Sequence, residues 1–389
     1  MSRLPAAGTP GATRPLAAPT EYTRRVDILV IGAGVVGCAV GYELAARGAR
    51  VRIFDMRDIG QGASRASAGV LCPHIEGHAA ALLQLGVRSL ALYDAFVARV
   101  ASDAHIPVEY QRTGTLEVAL TDEDAARLRT VASRHAAAGL EHQYLDGRAA
   151  RALEPALSAQ TAGALLVPSH GYVAVPALNA ALAAAAQVRG ATLERARPVQ
   201  RIARGGSRTV VTTSDGDVEA DAVVIAAGSW SGAIEGQPAA VPVKPIRGQL
   251  LHLEFEAAPV SRVIWGADCY LVPWRDGSLL VGATSEDVGF DERATVAGVH
   301  DLLDSACELL PPTWAAQFAG VRVGLRPATP DGLPVIGPSS SQPGLFYATG
   351  HFRNGVLLAP LTAQLLADLV LEGRTAPELG VTTPERFGL

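Results

Sequence analysis

Several residue types and patterns are scarce in this 389-residue sequence, and each absence excludes a class of protein. Lysine occurs only once, as Lys244, no basic block is present and the net charge is −5, so we expect no nucleic-acid partner. The four cysteines form no C-x-x-C pair, which favours a reduced, cytoplasmic compartment over a disulfide framework. No apolar stretch reaches the roughly 20 residues that a membrane helix needs, so we expect no membrane span.

The two ends of the chain differ from the rest in composition. Residues 1–24 are rich in Pro, Ala, Thr and Gly, show no periodicity and lack the continuous apolar core of a secretory signal. Their arginine content and low content of acidic residues are also typical of an organelle transit peptide, but four prolines interrupt any amphipathic helix. We therefore predict a disordered tail at 1–24 and a second tail at 376–389.

Ordered structure is predicted to begin with a βαβ unit. Residues 26–31 (VDILVI) form a nearly continuous apolar run, as a buried parallel strand requires, residues 38–47 a helix and residues 51–55 (VRIFD) a second strand. The first strand passes into the helix through G-A-G-V-V-G, in which the glycines are Gly32, Gly34 and Gly37. Glycines at this spacing permit a tight turn, a close approach of the backbone to a pyrophosphate and close helix–strand packing.

Asp55 ends the second strand, and an acidic residue at this point accepts hydrogen bonds from ribose hydroxyls. Together with the glycine run, it predicts a dinucleotide whose phosphates lie at a helix N-terminus. FAD and NAD share this pattern. Residues 60–70 (GQGASRASAGV) favour FAD, because a large ligand that lies along the backbone needs a run of small residues. The alternative interpretation of this run is a flexible surface loop.

The predicted sheets change from parallel to antiparallel and back along the chain. Residues 221–227 (DAVVIAA) form another buried apolar strand, residues 241–289 show an antiparallel pattern, and residues 345–372 return to strand, loop and helix. We expect an α/β fold with an α+β insertion, namely a Rossmann-like FAD-binding domain and an antiparallel-sheet substrate domain. The predicted boundaries place 25–78, 146–240 and 320–375 in the FAD-binding domain, and 79–145 and 241–319 in the substrate domain.

Five motifs follow one another along the chain: GAGVVG at 32–37, GASRASAGV at 62–70, DAVVIAAGSWS at 221–231, GLRPATPDGLPVIGP at 324–338 and GHFRNGVLLAP at 350–360. Together they resemble the D-amino-acid oxidase family of flavoproteins, and most closely its glycine oxidase branch, which is associated with thiamine biosynthesis. The resemblance runs from about residue 26 to residue 372. The last motif is the most specific to the branch, and the first is the least.

The resemblance implies that FAD is bound without a covalent link, since Cys307 does not lie in a matching attachment motif. The implied FAD contacts are Val35 and Val36 at the pyrophosphate, Asp55 and Met56 at the adenosine ribose, Ala63, Ser64, Ala68, Gly69 and Val70 along the ribityl chain and flavin, and Val199 at the adenine. Further implied cofactor positions are Gly228 and the loop of His351, Phe352, Arg353, Asn354, Gly355, Val356 and Leu357. The helix that begins near Asn354 would direct its N–H groups at the negative edge of a reduced flavin; the alternative is an ordinary helix start that faces water.

Three residues match substrate-binding positions of the family. Arg326 would bind the substrate carboxylate through its guanidinium fork, and Tyr270 would meet the same carboxylate through its hydroxyl. Arg353 matches a second substrate-contacting position. The implied chemistry needs no side-chain base, because a neutral amine gives up its α-hydrogen as hydride and the imine product is hydrolysed by water.

The predicted function is oxidation of glycine and other small amino acids by molecular oxygen, giving glyoxylate, ammonia and hydrogen peroxide for thiazole and thiamine biosynthesis. Alternatives are a sarcosine, proline or D-amino-acid oxidase, a dehydrogenase that passes electrons to a quinone, a flavin-binding module without catalysis and an NAD dehydrogenase. The resemblance also implies a homotetramer. No metal is expected, because Pro73 and Gly77 prevent His74 and His78 from sharing a regular helix and a third ligand is absent.

Overall fold

The computed structural model describes residues 26–75 and 79–389, so the predicted tail at 1–24 and the expectation for His78 lie outside the described residues. The strands are β1 Asp27–Ile31, β2 Arg50–Phe54, β3 Val70–Leu71, β4 Tyr110–Gln111, β5 Thr115–Ala119, β6 Gln143–Asp146, β7 Gly163–Val167, β8 Gly171–Val173, β9 Thr192–Glu194, β10 Val199–Gly205, β11 Arg208–Thr213, β12 Gly216–Ala220, β13 Ala222–Ile225, β14 Lys244–Glu254, β15 Val263–Trp265, β16 Tyr270–Pro273, β17 Ser278–Gly282, β18 Gln317–Ala328, β19 Val335–Pro338 and β20 Leu345–Thr349. The α-helices are α1 Val35–Ala46, α2 Ala80–Ala104, α3 Asp122–Ala137, α4 Gly147–Leu153, α5 Val175–Val188, α6 Val296–Leu309, α7 Gly355–Glu372 and α8 Pro377–Thr382.

The first sheet has six strands in the order β19-β20-β13-β1-β2-β9. Its central strands β1 and β13 are apolar apart from Asp27 and are buried on both faces, as parallel strands between two layers must be. All pairs are parallel except β19 with β20. Helices α1, α2, α5 and α7 cover one face, and the antiparallel meander β10-β11-β12 packs on the other. This sheet is the predicted Rossmann-like part of the fold.

The second large sheet has eight strands in the order β18-β14-β17-β16-β15-β5-β7-β6. It is antiparallel except where β15 pairs with β5, and helix α6 packs on the core of one face. A small sheet, β3-β8-β4, holds the end of the small-residue run. The chain thus combines an α/β unit with an antiparallel unit, which is the predicted fold class.

Strand pairing and packing differ from the predicted domain boundaries in three places. Strand β7 and most of β18 were expected in the FAD-binding domain, but both hydrogen-bond into the eight-stranded sheet. Helix α2 was expected in the substrate domain, yet its apolar face packs against α1, α5 and α7. The predicted tail 376–389 contains α8 and ends at Leu389, which is fully buried. These differences arise because sequence order does not reveal which sheet or core a short apolar segment joins.

Two helices, α2 and α7, are long and apolar enough to cross a membrane by length and composition alone. In the fold, 44% of the most apolar window of α2 and 61% of that of α7 are buried, and both contribute to the core beside the six-stranded sheet. This burial favours two core helices. The expected absence of a membrane span stays a prediction.

Candidate active site

A cavity of about 660 Å³ lies between the two large sheets. Its wall includes the glycine loop after β1, the small-residue run, the start of β10, the first turn of α7 and strands of the eight-stranded sheet. The predicted site residues on this wall are Gly32, Gly34, Val35, Val36, Asp55, Met56, Ala63, Ser64, Ala68, Gly69, Val70, Val199, Gly228, Tyr270, Arg326, His351, Phe352, Arg353, Asn354, Gly355, Val356 and Leu357. Gly37 is the one predicted site residue that does not line the cavity.

The glycine loop is closely packed, and this explains the place of Gly37. A Cβ atom on Gly37 would lie 1.9 Å from the carbonyl oxygen of Gly32, so α1 can approach β1 only with glycine there. Gly32 itself has φ +112°, and a Cβ on it would lie 2.4 Å from the carbonyl oxygen of Ala226. Helix α1 begins at Val35, whose N–H donates to the Ser64 hydroxyl at 3.0 Å. The loop and the small-residue run therefore meet at a helix N-terminus, which is a site suited to phosphate.

Asp55 lies beside this loop and is held by backbone donors. Its carboxylate accepts from the N–H of Ala33 at 2.6 Å and from the N–H of Arg57 at 2.8 Å. Burial raises the pKa of Asp55 above its usual value, and these two hydrogen bonds act in the opposite direction. An ionised carboxylate has about four acceptor sites, so this one retains capacity for ribose hydroxyls.

Another part of the cavity wall is formed by the loop before α7. Phe352 has φ +49° and donates its N–H to the Pro327 carbonyl at 2.9 Å, which ties the loop to β18. Asn354 precedes the helix, and its side chain makes no capping hydrogen bond. The first N–H groups of α7 thus face the cavity end without a side-chain cap, as a helix N-terminus that stabilises an anionic ligand should.

Helix α7 contains Pro360, and α2 compensates for the backbone bonds that this proline removes. Proline has no N–H to donate to the carbonyl of Val356, and the buried Tyr93 hydroxyl donates to that carbonyl at 2.6 Å instead. The N–H of Leu361 donates to the buried Ser89 hydroxyl at 3.3 Å. The first turn of α7 is therefore held in place from α2.

His351 is buried in the loop before α7, and its Nε2 lies 3.0 Å from the Thr362 hydroxyl. Burial lowers the pKa of His351 to about 3. The ring is therefore neutral at physiological pH. These properties suit a residue that packs the loop and not one that exchanges protons with a substrate.

The predicted substrate end of the cavity is built on two glycines of the eight-stranded sheet. The Arg326 guanidinium, from β18, lies over Gly248 of the neighbouring β14, where a Cβ atom would be 2.4 Å from its Cζ. The Tyr270 ring, from β16, lies over Gly282 of the neighbouring β17 in the same way. Since β14 and β17 are adjacent, the two side chains reach towards each other over these two strands, near the β18 edge of the sheet.

Further contacts fix these two side chains. Arg326 Nη1 donates to the Thr284 carbonyl at 2.8 Å, and the Tyr270 ring stacks on Trp265 with centroids 4.9 Å apart. Arg353 lies on the same cavity wall, with its guanidinium 5.2 Å from the Phe352 ring centroid. The structure thus brings the three predicted substrate-binding residues to one cavity.

The cavity wall also contains residues that sequence reasoning did not assign to the site, among them Gly248, Gly282, Trp265, Arg57 and Trp230. A glycine inside a strand signals a close approach of another group, and this signal could have identified the first two. The aromatic residues carried no local signal. They reach the wall only through the pairing of strands and loops that are distant in sequence.

The histidine His74 contacts another histidine. Its Nδ1 lies 2.9 Å from Nε2 of His170, and His135 approaches it edge-on. Burial lowers the pKa of all three, so they favour the neutral form. Within 26–75 and 79–389, no group of three or more His, Cys, Asp or Glu side chains could hold a metal ion.

The residues present fit FAD. The glycine positions form a cradle that a Cβ atom would fill, Asp55 offers acceptors beside it, and the uncapped N-terminus of α7 lies on the wall of the same cavity. An elongated dinucleotide with a phosphate centre and an anionic ring system matches this order of groups.

Comparisons with known proteins agree with this assignment. The sequence pattern of the family described as FAD dependent oxidoreductase (DAO) matches residues 27–369. The glycine oxidase of Geobacillus kaustophilus is 37% identical over 361 residues, which are 92% of this chain and 96% of that protein. The bifunctional protein ThiO/ThiG of Synechocystis sp. is 35% identical over 93% of this chain, which spans 54% of that longer protein.

Two solved structures are similar over most of their length. The crystal structure of the Geobacillus kaustophilus glycine oxidase matches with a TM-score of 0.88 and 36% identity, covering 93% of this chain and 98% of that one. An iminodiacetate oxidase from Chelativorans sp. matches with a TM-score of 0.83 and 29% identity, covering 92% and 98%. The predicted family, fold class and cofactor are confirmed: the chain belongs to the DAO family of FAD dependent oxidoreductases, and its cofactor is FAD.

Proposed function

We propose that this protein oxidises glycine and other small amino acids with molecular oxygen, releasing glyoxylate, ammonia and hydrogen peroxide, and that the imine serves thiazole formation in thiamine biosynthesis. One observation carries the proposal most directly: Arg326 and Tyr270 reach towards each other over Gly248 and Gly282 at one end of the FAD cavity. The names of the two relatives, glycine oxidase and ThiO/ThiG, support the same substrate and pathway. We place the enzyme in the cytoplasm and expect a homotetramer.

Recognition of the substrate is assigned to Arg326 and Tyr270. A guanidinium can bind both oxygens of a carboxylate, which fixes the position and the orientation of the amino acid. The Tyr270 hydroxyl donates to the same carboxylate, and Trp265 supports its ring. Trp265 is bulky and lies on the wall beside Tyr270, which suits a small side chain on the substrate.

Bound FAD supplies the hydride acceptor and passes the electrons to oxygen. The protein's own contribution is to position the substrate α-carbon and to exclude water around it. Because His351 is buried and neutral, we assign no side-chain base, and the substrate reacts with its amine already neutral. The first turn of α7 stabilises negative charge at its N-terminus.

The proposal is tested by measuring peroxide release from glycine, sarcosine, iminodiacetate, proline and several D-amino acids under air. Glycine should give the highest kcat/KM. A higher kcat/KM for another of these amines would show that this amine, and not glycine, is the substrate. Turnover only with an artificial electron acceptor would make the protein a dehydrogenase.

Arg326→Ala tests the substrate assignment directly. Truncating one partner of a desolvated charge pair costs about 2–5 kcal/mol, so the KM for glycine should rise roughly 30- to 4,000-fold with the flavin spectrum intact. Arg322→Ala is the matched control, since Arg322 lies on the same strand, over Trp274 and away from the cavity wall. An equal KM for the two variants would remove Arg326 from the site.

A further inference from the structure

Residues 284–295 connect β17 to α6 and extend from the substrate end of the cavity to the region of Asp55. We propose that this segment, the clasp, fixes Arg326 at one end and retains FAD at the other by holding Arg57 and Trp230 on the cavity wall. The FAD part stands whichever amino acid is oxidised. The Arg326 part rests on the proposed function.

The inner end of the clasp is anchored to β14. Glu286 pairs with the buried Arg247, and its carboxylate also accepts from Gln249 at 2.7 Å and from the Thr284 hydroxyl at 2.6 Å. Burial raises the pKa of Glu286, but these partners outweigh burial and lower the pKa to about 2. The carboxylate is therefore ionised in use.

This anchor determines where the Thr284 carbonyl lies. That carbonyl accepts from Arg326 at 2.8 Å, so Glu286 acts on the guanidinium through one intervening residue. Farther along the clasp, Thr295 and Gln249 exchange hydrogen bonds at 2.8 Å, and Asp291 pairs with Arg247 at 2.9 Å. The clasp is thus held at several points along its length. A shift at one of these points would move the contacts at both of its ends.

The outer end of the clasp contacts the FAD-binding part of the fold. Glu292 forms two contacts with Arg57, at 3.0 and 2.8 Å. The Arg57 guanidinium lies 4.5 Å from the centroid of Trp230, and the Trp230 ring lies 5.6 Å from that of Phe290. Arg57 and Trp230 line the cavity, but Glu292 and Phe290 do not.

Arg57 and Trp230 therefore face the cavity, and the clasp packs against their other side. Arg57 also donates its backbone N–H to Asp55, so it belongs to the same corner of the cavity as the ribose acceptor. A single half-exposed ion pair contributes little to folding because water screens it. On a cavity wall the pair has a second effect: while it is closed, Arg57 and Trp230 stay on the wall beside Asp55, where they would oppose the release of FAD.

The test compares two charge-neutralising variants within the clasp. Glu292→Gln removes the pair with Arg57, whereas Asp287→Asn removes the exposed pair with Lys244, which does not line the cavity. The dissociation constant of FAD is measured by quenching of flavin fluorescence on titration of the apoprotein. We expect Glu292→Gln to raise it about 5- to 30-fold, equivalent to ~1–2 kcal/mol, and Asp287→Asn to change it less than twofold.

Arg57→Lys provides a second variant, because it keeps the charge but loses the paired contacts and most of the stacking on Trp230. It should also raise the FAD dissociation constant. The melting temperature of each apoprotein distinguishes loss of the clasp from loss of folding. Equal FAD affinity in wild type, Glu292→Gln and Arg57→Lys would overturn the proposal.

Glu286→Gln tests the inner end. At saturating FAD it should raise the KM for glycine several-fold and change kcat less, since it displaces the Arg326 anchor and not the reacting atoms. Asp287→Asn is again the control. A KM equal to that of the control would overturn the positioning of Arg326, whereas failure of the wild type to oxidise glycine would instead refute the proposed function.

Discussion

Gly248→Ala gives a sharp test of how the substrate end of the cavity is built. The added Cβ would lie 2.4 Å from Cζ and both terminal nitrogens of Arg326. Carbon atoms at rest are about 3.5–4.0 Å apart, so the guanidinium must move by more than about 1 Å. The atoms that must move are the far end of a flexible side chain, and Gly248 lies in a regular strand, so the protein should still fold.

The expected cost follows from this displacement. A shift of about 1 Å in a positioning group can reduce the rate roughly 100-fold, and complete loss of a buried charge pair costs about 2–5 kcal/mol. We therefore expect kcat/KM for glycine to fall roughly 30- to 300-fold, chiefly through KM, while the flavin absorption spectrum stays unchanged.

The assay is steady-state peroxide release over a range of glycine concentrations. Gly380→Ala is the control, because no atom lies within 4 Å of a Cβ built on Gly380. If the effect passes through Arg326, adding Gly248→Ala to Arg326→Ala should cause little further loss. Wild-type kinetics for Gly248→Ala, or equal losses in both backgrounds, would refute the reasoning.

Two further predictions concern groups outside the cavity wall. Tyr93→Phe leaves the buried Val356 carbonyl without its donor, which should cost about 1–3 kcal/mol of stability and lower the flavin midpoint potential as the first turn of α7 loosens; an unchanged melting temperature and potential would contradict this. The pKa values of His74, His135 and His170 are lowered by burial, so below pH 6.5 the unfolded state binds more protons and the free energy of unfolding should fall as the pH drops. His170→Gln should flatten this decline in thermal melts between pH 6.5 and 5, and an equally steep decline would exclude the cluster as its cause.

Local sequence patterns predicted the parts of the fold that local physics determines. The apolar runs and glycine spacing identified β1, α1 and the position of Asp55, because a buried parallel strand, a tight turn and a helix start each have a short-range signature. Thr121 followed by Asp124 three residues later is a typical helix start, and the Thr121 side chain accepts from the N–H of Asp124 at 3.1 Å. The family resemblance then predicted the cofactor, which is confirmed, and the assignment of Arg326 to the substrate, which stays a prediction.

The remaining parts of the fold and of the site depend on contacts between segments that are distant in sequence. Strands β4 and β5 are neighbours in sequence, but they pair with different partners in different sheets. Arg57 and Glu292 are 235 positions apart, and no periodicity connects them. Similarly, the role of Gly248 depends on the strand beside it, which is formed some 70 residues later in the chain.

The glycines beneath Arg326 and Tyr270 have a consequence for how this site can change. Glycine has no side chain that could be shortened further. Any substitution at Gly248 or Gly282 therefore adds atoms beneath Arg326 or Tyr270 and reduces the space in the cavity. Under the proposed function, space for a bulkier amine must therefore come from the side walls, where Trp265, stacked on Tyr270, is a large side chain that a smaller residue could replace. Substitutions at Gly248 and Gly282 can therefore only narrow the range of substrates that fit, whereas substitutions at Trp265 can widen it.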